Sequence, residues 1–157
     1  MDSDPEVLRY LQAAPGKPWE EYRADFRGWV ERIRTYGPSV GFWAVHRNED
    51  NAAVGWFHLR PSRLFEPRLE LGYRFRRSMW GQGLATEGSQ ALIDYAFREL
   101  GAPEVIALTL TRNQPSRRVM EKVGMKLEQE FVFPPEVCEG WNEEERKAVL
   151  YRIGSPA

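Results

Sequence analysis

The residues with the most distinctive chemistry form one run, Arg76-Arg77-Ser78-Met79-Trp80-Gly81-Gln82-Gly83-Leu84-Ala85-Thr86, between a strand-like stretch and a helical one. A helix N-terminus presents N–H groups without intrahelical acceptors and carries about half a positive charge. Glycine in the preceding turn lets a ligand approach the backbone closely. Together these make an anion cradle, suited above all to pyrophosphate. Neither common phosphate fingerprint is present: position 86 is Thr, where one pattern needs a third glycine and the other a register of glycine and lysine. Alone, the run also fits a tight strand-to-helix turn that needs glycine only for its geometry. Arg74, Arg76 and Arg77 flank it on one side and Arg112, Arg117 and Arg118 on the other; guanidinium groups suit phosphate oxygens bidentately.

Other reactive residue types are less well placed. His46 and His58 each sit in a strand-like run without a visible acidic partner or nucleophile, so both are expected to be structural. The single cysteine, Cys138, has no partner for an internal disulfide, no zinc-type Cys/His grouping and no nearby histidine to activate it. No metal is expected.

The elements that position the cradle follow from periodicity. Asp4-Pro5 reads as a helix start, running to about Gln12; apolar residues from Trp19 to Tyr36 recur at helical spacing and stop at Gly37-Pro38. Three strand-like runs follow, Val40 to His46, Val54 to Arg60 and Arg68 to Phe75, spaced as an antiparallel meander. Residues 83–100 switch to a helical period with a broad apolar stripe, ended by Gly101. Glu104 to Leu110 is a nearly continuous apolar run, as in a central strand, and Pro115 to Val123 forms a helix with Gly124 in the C-terminal capping position. Lys126 to Phe133 and Lys147 to Ile153 complete a mixed α/β (α+β) domain spanning residues 1–157.

Composition narrows the function classes. A chain of 157 residues, 42% hydrophobic and 29% charged, fits one folded domain. A net charge of -1 offers no general attraction to nucleic acid. No apolar stretch is long enough for a membrane helix, and nothing resembles a signal peptide, so a cytoplasmic protein is expected.

Three motifs in order then identify a family resemblance: Leu69-Glu70-Leu71-Gly72-Tyr73, Trp80-Gly81-Gln82-Gly83-Leu84-Ala85-Thr86-Glu87, and Asn113-Gln114-Pro115-Ser116 through Gly124-Met125. The sequence resembles the GNAT superfamily of N-acetyltransferases, and most of all its ribosomal-protein N-terminal acetyltransferase-like branch. The resemblance implies an acetyl-CoA fold in which the strand carrying Glu70 splays from the strand beginning at Glu104, leaving a V-shaped cleft. Backbone groups near Phe75 and Arg77 would pair with the pantetheine arm, and N–H groups of Gly81, Gln82, Gly83, Leu84, Ala85 and Thr86 would hold the pyrophosphate. Asn113 would meet the pantetheine region and Ser116 would sit near the sulfur. Trp80 departs from the usual Gln or Arg at the first loop position. The strand that normally opens the family fold has no counterpart in this sequence, so either the start is truncated or the fold does without that strand; its loss would leave a sheet edge at Val40 to His46 able to recruit a partner chain, as in a homodimer.

For the implied reaction, acetyl transfer from acetyl-CoA to a primary amine in a ternary complex, Glu70 is the expected general base, its pKa raised by burial; the alternative is a salt-bridged strand carboxylate. Ser116 is the expected partner of the leaving thiolate or, alternatively, a residue satisfying helix N–H groups. Tyr151 is a secondary acid candidate, otherwise a packing residue. Trp19, Trp29, Trp43 and Trp56 fall in segments that would wall the acceptor side. The acidic residues Glu136, Glu139, Glu143, Glu144 and Glu145 hint at a cationic acceptor, which is open between a protein N-terminus and a small amine. A non-catalytic acyl-CoA-binding module is the competing reading.

Overall fold

The computed structural model describes residues 1, 4–11 and 19–156. The elements run α1 (Pro5–Leu8), α2 (Trp19–Arg34), β1 (Gly41–His46), β2 (Ala53–Pro61), β3 (Leu69–Phe75), a 3-10 turn at Arg77–Met79, α3 (Leu84–Arg98), β4 (Glu104–Leu110), α4 (Gln114–Lys122), β5 (Lys126–Val132) and β6 (Lys147–Gly154). The Asp4 carboxylate accepts from the Glu6 N–H and Pro5 fills the first turn, so α1 starts as the sequence predicts. It ends at Leu8; Gln12, the predicted end, lies outside the described residues.

One six-stranded sheet has the order β1-β2-β3-β4-β6-β5. The predicted meander is there, β1 with β2 and β2 with β3, both antiparallel. β3 and β4 are the parallel pair, joined through the crossover helix α3. β6 inserts between β4 and β5, antiparallel to both, which leaves β1 and β5 at the sheet edges.

Alternation along β2 and β3 divides the sheet into two chemically different faces. Phe57 and Leu59 of β2, with Leu71, Tyr73 and Phe75 of β3, join the main core with Ile93 and Ala96 of α3 and Met120 of α4. The intervening residues Trp56, His58 and Arg60 face Arg74, Gly72 and Glu70 across the ladder on the opposite face. β4 and β6 supply the center of the core: Val105, Ile106, Val149 and Leu150 are all 0% exposed. Each such side chain contributes roughly 1.5–3 kcal/mol by its burial. A second cluster of Leu110, Phe133, Cys138 and Ala148 closes the β5–β6 end.

α3 sits close on β2, where a Cβ on Gly88 would collide with the Phe57 ring. Phe57 is itself held edge-on by Phe75, so the ring has no easy retreat. Gly88→Val should therefore destabilise the domain by about 2–3 kcal/mol through overpacking, read as a lowered urea midpoint; an unchanged midpoint would mean that α3 does not seat on Phe57.

Candidate active site

The site begins where two strands part. β3 and β4 pair only at Leu69 with Val105 and Glu70 with Ile106, and beyond Glu70 the two strands diverge. Two cavities open at the gap. One, about 380 Å³, lies over the turn that starts α3; the other, about 350 Å³, lies against the polar face of β2 and β3. Both are lined by Tyr10, Leu11, Tyr73, Arg74, Asn113 and Ser116, so these residues mark the junction between them.

The first cavity contains the cradle. Gly81 and Gly83 have φ of +75° and +83°, and a Cβ at either would meet no atom within 4 Å. Backbone conformation requires glycine here, not packing. Gly83 is the N-cap of α3 without a side-chain capping bond, and the first helical hydrogen bond runs from the Glu87 N–H to the Gly83 carbonyl. The amides of Leu84, Ala85 and Thr86 are consequently left to an outside acceptor. Of the residues expected to bind the cofactor, Phe75, Gly81, Gly83, Leu84, Ala85, Thr86 and Asn113 line this cavity, whereas Arg77 and Gln82 stand outside its lining. Gln82 instead donates to the Ser78 carbonyl at 2.9 Å. Trp80, which on sequence only removes a side-chain donor, braces the turn: its indole N–H donates to the Phe75 carbonyl at 3.1 Å. One acceptor site expected to serve pantetheine is thereby occupied.

Of the six flanking arginines only Arg74 and Arg118 line this cavity, together with Lys122, which sequence reasoning missed. Arg117 donates to the Tyr151 hydroxyl and the Thr111 carbonyl, while Arg112 donates to the Glu145 carbonyl and lies over the Trp141 ring.

At the junction the Tyr73 hydroxyl and Ser116 Oγ are 3.1 Å apart. Burial pushes the Tyr73 phenol up to about 12, against the opposing pull of the Ser116 hydrogen bond, so the phenol keeps its proton near neutrality. Asn113, not Ser116, is the N-cap of α4: its Oδ1 accepts from the Ser116 N–H at 3.3 Å and its Nδ2 donates to Thr109 Oγ1 at 2.9 Å. The alternative for Ser116 as a satisfier of helix N–H groups is thus taken over by Asn113. Tyr151 is 2% exposed, donates to Glu121 at 2.8 Å and lines neither cavity, which makes it a packing residue.

Glu70 does line the second cavity, but its environment corrects the expected pKa. Burial alone would raise it; the His58 hydrogen bond, the Arg60 charge and the Ser62 hydroxyl outweigh burial and hold it below the ordinary carboxylate value. Arg60 donates to Oε1 at 3.1 Å and Ser62 to Oε2 at 2.7 Å. His58 Nε2 lies 3.5 Å from Oε1, so the expectation that this histidine has no acidic partner is also corrected. The partner is invisible in the linear sequence because the β2–β3 ladder supplies it, by pairing Arg60 with Glu70 and His58 with Gly72. Gly72 has to be glycine for this: a Cβ there would strike the His58 ring.

The acidic residues at 136, 139 and 143–145 are all exposed and line neither cavity; the β5–β6 loop contributes Phe133 and Val137 to the lining of the second. The cationic-acceptor hint loses its basis. Trp56 lines the second cavity and Trp43 packs on the main core, while the side chains of Trp19 and Trp29 lie outside the described residues. Cys138 is buried in the second cluster, and burial pushes its thiol up. Among the described residues no cluster of His, Cys, Asp or Glu could hold a metal, and no helix is long and apolar enough to cross a membrane.

A splayed parallel pair with an N–H cradle at the following helix is the arrangement that the GNAT resemblance implies, and comparison with known proteins gives the family. A family model for the acetyltransferase (GNAT) domain matches residues 1–126. FsC-acetyl coenzyme A-N(2)-transacetylase of Aspergillus fumigatus is 35% identical over 153 residues, 89% of this chain and 63% of its own length. The chain therefore spans less than two thirds of that relative. The uncharacterized N-acetyltransferase YnaD of Bacillus subtilis is 37% identical over 143 residues, 90% of this chain and 79% of the relative. Among solved structures, a GNAT-family acetyltransferase from Bacillus anthracis superposes with a TM-score of 0.72 at 26% identity, covering 98% of this chain and 84% of that one. The chain belongs to the GNAT acetyltransferase family.

The His58–Glu70 pair predicts a pH dependence of stability. Burial, the first cause, lowers the His58 pKa from 6.5, and Glu70 is lowered from 4.5. In both cases the unfolded chain takes up its proton at higher pH than the folded one, so stability is complete above the unfolded values and falls as pH drops below them. The urea midpoint should decline between about pH 7 and about pH 5, and His58→Gln should flatten that decline. An equal slope in the variant would show that His58 is not the group responsible.

Proposed function

We propose that the chain transfers an acetyl group from acetyl-CoA to a primary amine by direct attack in a ternary complex. The observation that carries this reading is the meeting of the two cavities at Tyr73 and Ser116, with the anion cradle in one and Glu70 in the other. The diphosphate would lie on the amides of Gly81 and Gly83 through Thr86, with Arg118 and Lys122 available to the outer phosphate. The thioester would then reach the junction. The second cavity, about 350 Å³, suits a small amine or the first residues of a peptide, the latter being the acceptor of the ribosomal-protein branch.

Transfer forms a C–N bond, breaks the C–S bond, removes a proton from the attacking nitrogen and returns one to the thiolate. Glu70, held ionised, favours the positive charge that develops on the nitrogen and relays its proton to water. It is not a base tuned by burial. A carboxylate has about four lone-pair sites, so the contacts with Arg60, Ser62 and His58 leave it able to accept one more donor. Ser116 supplies the proton or hydrogen bond to the sulfur. Tyr73 positions it through the 3.1 Å hydrogen bond between the two hydroxyls, which fixes Ser116 Oγ at the edge of the cleft.

Ser116→Ala should lower kcat about a hundredfold, and Tyr73→Phe, losing one neutral hydrogen bond, about tenfold. Both should keep calorimetric acetyl-CoA affinity within a few-fold of the wild type. Free-thiol release with an amine present measures the rates, and ATP serves as the binding control. Binding of acetyl-CoA with no thiol release from wild type would favour a non-catalytic acyl-CoA module, and ATP binding as tight as acetyl-CoA would remove the CoA reading.

A further inference from the structure

Granted acetyl transfer as proposed above, we infer that the acceptor is an amine that also carries an anionic group, anchored by Arg63 at the mouth of the second cavity. The charged side chains in the lining of that cavity, among the described residues, are Arg60, Arg63, Arg74 and Glu70. They differ in depth. The Glu70 side chain is 13% exposed and stands at the last paired position before the strands part, with Arg60 beside it at 9%. Arg63 lies on the loop that leaves β2 and is exposed.

The deep acid and the outer cation have different tasks. Glu70 already accepts from Arg60 and Ser62 and lies where the attacking nitrogen has to arrive. It serves that nitrogen. No second acidic side chain in the described lining is left to receive another ammonium group, as a polyamine would require. Arg63 makes no ion pair with a carboxylate of the described residues, and its charge lies close enough to lower the pKa of Arg60, so two like charges face the same space. An oxyanion entering between the mouth and the gap relieves that repulsion and gains a guanidinium fork. Arg74, spread over the Trp56 ring with its charge 5.1 Å from the centroid, adds a further cation on the same wall. Trp56, Leu64 and Val137 supply apolar walls for the carbon chain between the two ends of the acceptor. The amine therefore points inward to Glu70 and the anionic end outward to Arg63.

Three acceptors of one chain length separate the charge classes: aminopentanoate, aminopentanol and diaminopentane, each with one terminal amine and an anionic, neutral or cationic far end. Their affinities for the CoA-loaded protein are read by calorimetry, and their kcat/KM with acetyl-CoA by thiol release. Aminopentanoate should bind and react best and diaminopentane worst. Arg63→Gln should lower the preference for aminopentanoate over aminopentanol about tenfold or more while leaving aminopentanol unchanged, and Arg63→Glu should move the preference toward diaminopentane. Turnover with diaminopentane favoured, or an equal loss for all three in Arg63→Gln, overturns the inference while acetyl transfer stands. Charge-selective binding without thiol release overturns acetyl transfer and leaves the assigned charge class in place.

Discussion

The early parting of β3 and β4 is the constraint on which the rest of the site depends. A parallel pair normally continues its ladder, because every unpaired N–H and C=O within a sheet must find another partner. Here two residue pairs are made and the ladder stops. Apart from the Phe75 carbonyl, which accepts from the Trp80 indole, backbone groups of residues 71–75 on the side facing β4 are left to solvent or to an amide-bearing ligand. The strands on either side hold the gap open: β2 stays paired with β3 as far as Phe75, and β6 pairs with the whole of β4. α3 and α4 then fill the helix-bearing side, so the gap cannot collapse without breaking the core around Phe57, Phe75, Ile93 and Met120.

Chemistry divides along the same gap. Toward the start of α3 the site offers unpaired amides and the basic side chains Arg118 and Lys122, an environment for phosphates. On the polar face it offers an ionised carboxylate fixed by Arg60, Ser62 and a neutral His58, next to aromatic walls. Between them stands a protonated phenol hydrogen-bonded to a serine. In the proposed reaction a negative diphosphate and a reacting amine have separate compartments, and the one group that has to cross between them is acetyl.

Local periodicity made the elements legible, and it placed β4 as a buried central strand and the turn at Gly81 and Gly83 as an anion cradle. Those signals are short-range: alternation, capping residues and a glycine-bearing strand-to-helix turn. What escaped depends on pairing between distant segments. Nothing local tells that β6 inserts between β4 and β5. The His58, Arg60 and Ser62 environment of Glu70 needs the β2–β3 register; a cue existed in Gly72, opposite His58, where only glycine leaves room for the ring. Tyr73 stands out in the sequence only as part of a motif, because its partner Ser116 is 43 residues away. Asn113, expected to meet the ligand, is in addition the cap of α4, a role readable in an Asn that precedes Gln-Pro-Ser.

Amide hydrogen exchange with and without acetyl-CoA tests the central claim, that the unpaired side of β3 and the first turn of α3 together hold one ligand. The account predicts slowed exchange at residues 71–75 and at 84–86 on adding acetyl-CoA, with β1 and β5 unchanged. Protection confined to other segments, or absent from β3 while acetyl-CoA is bound, would contradict it.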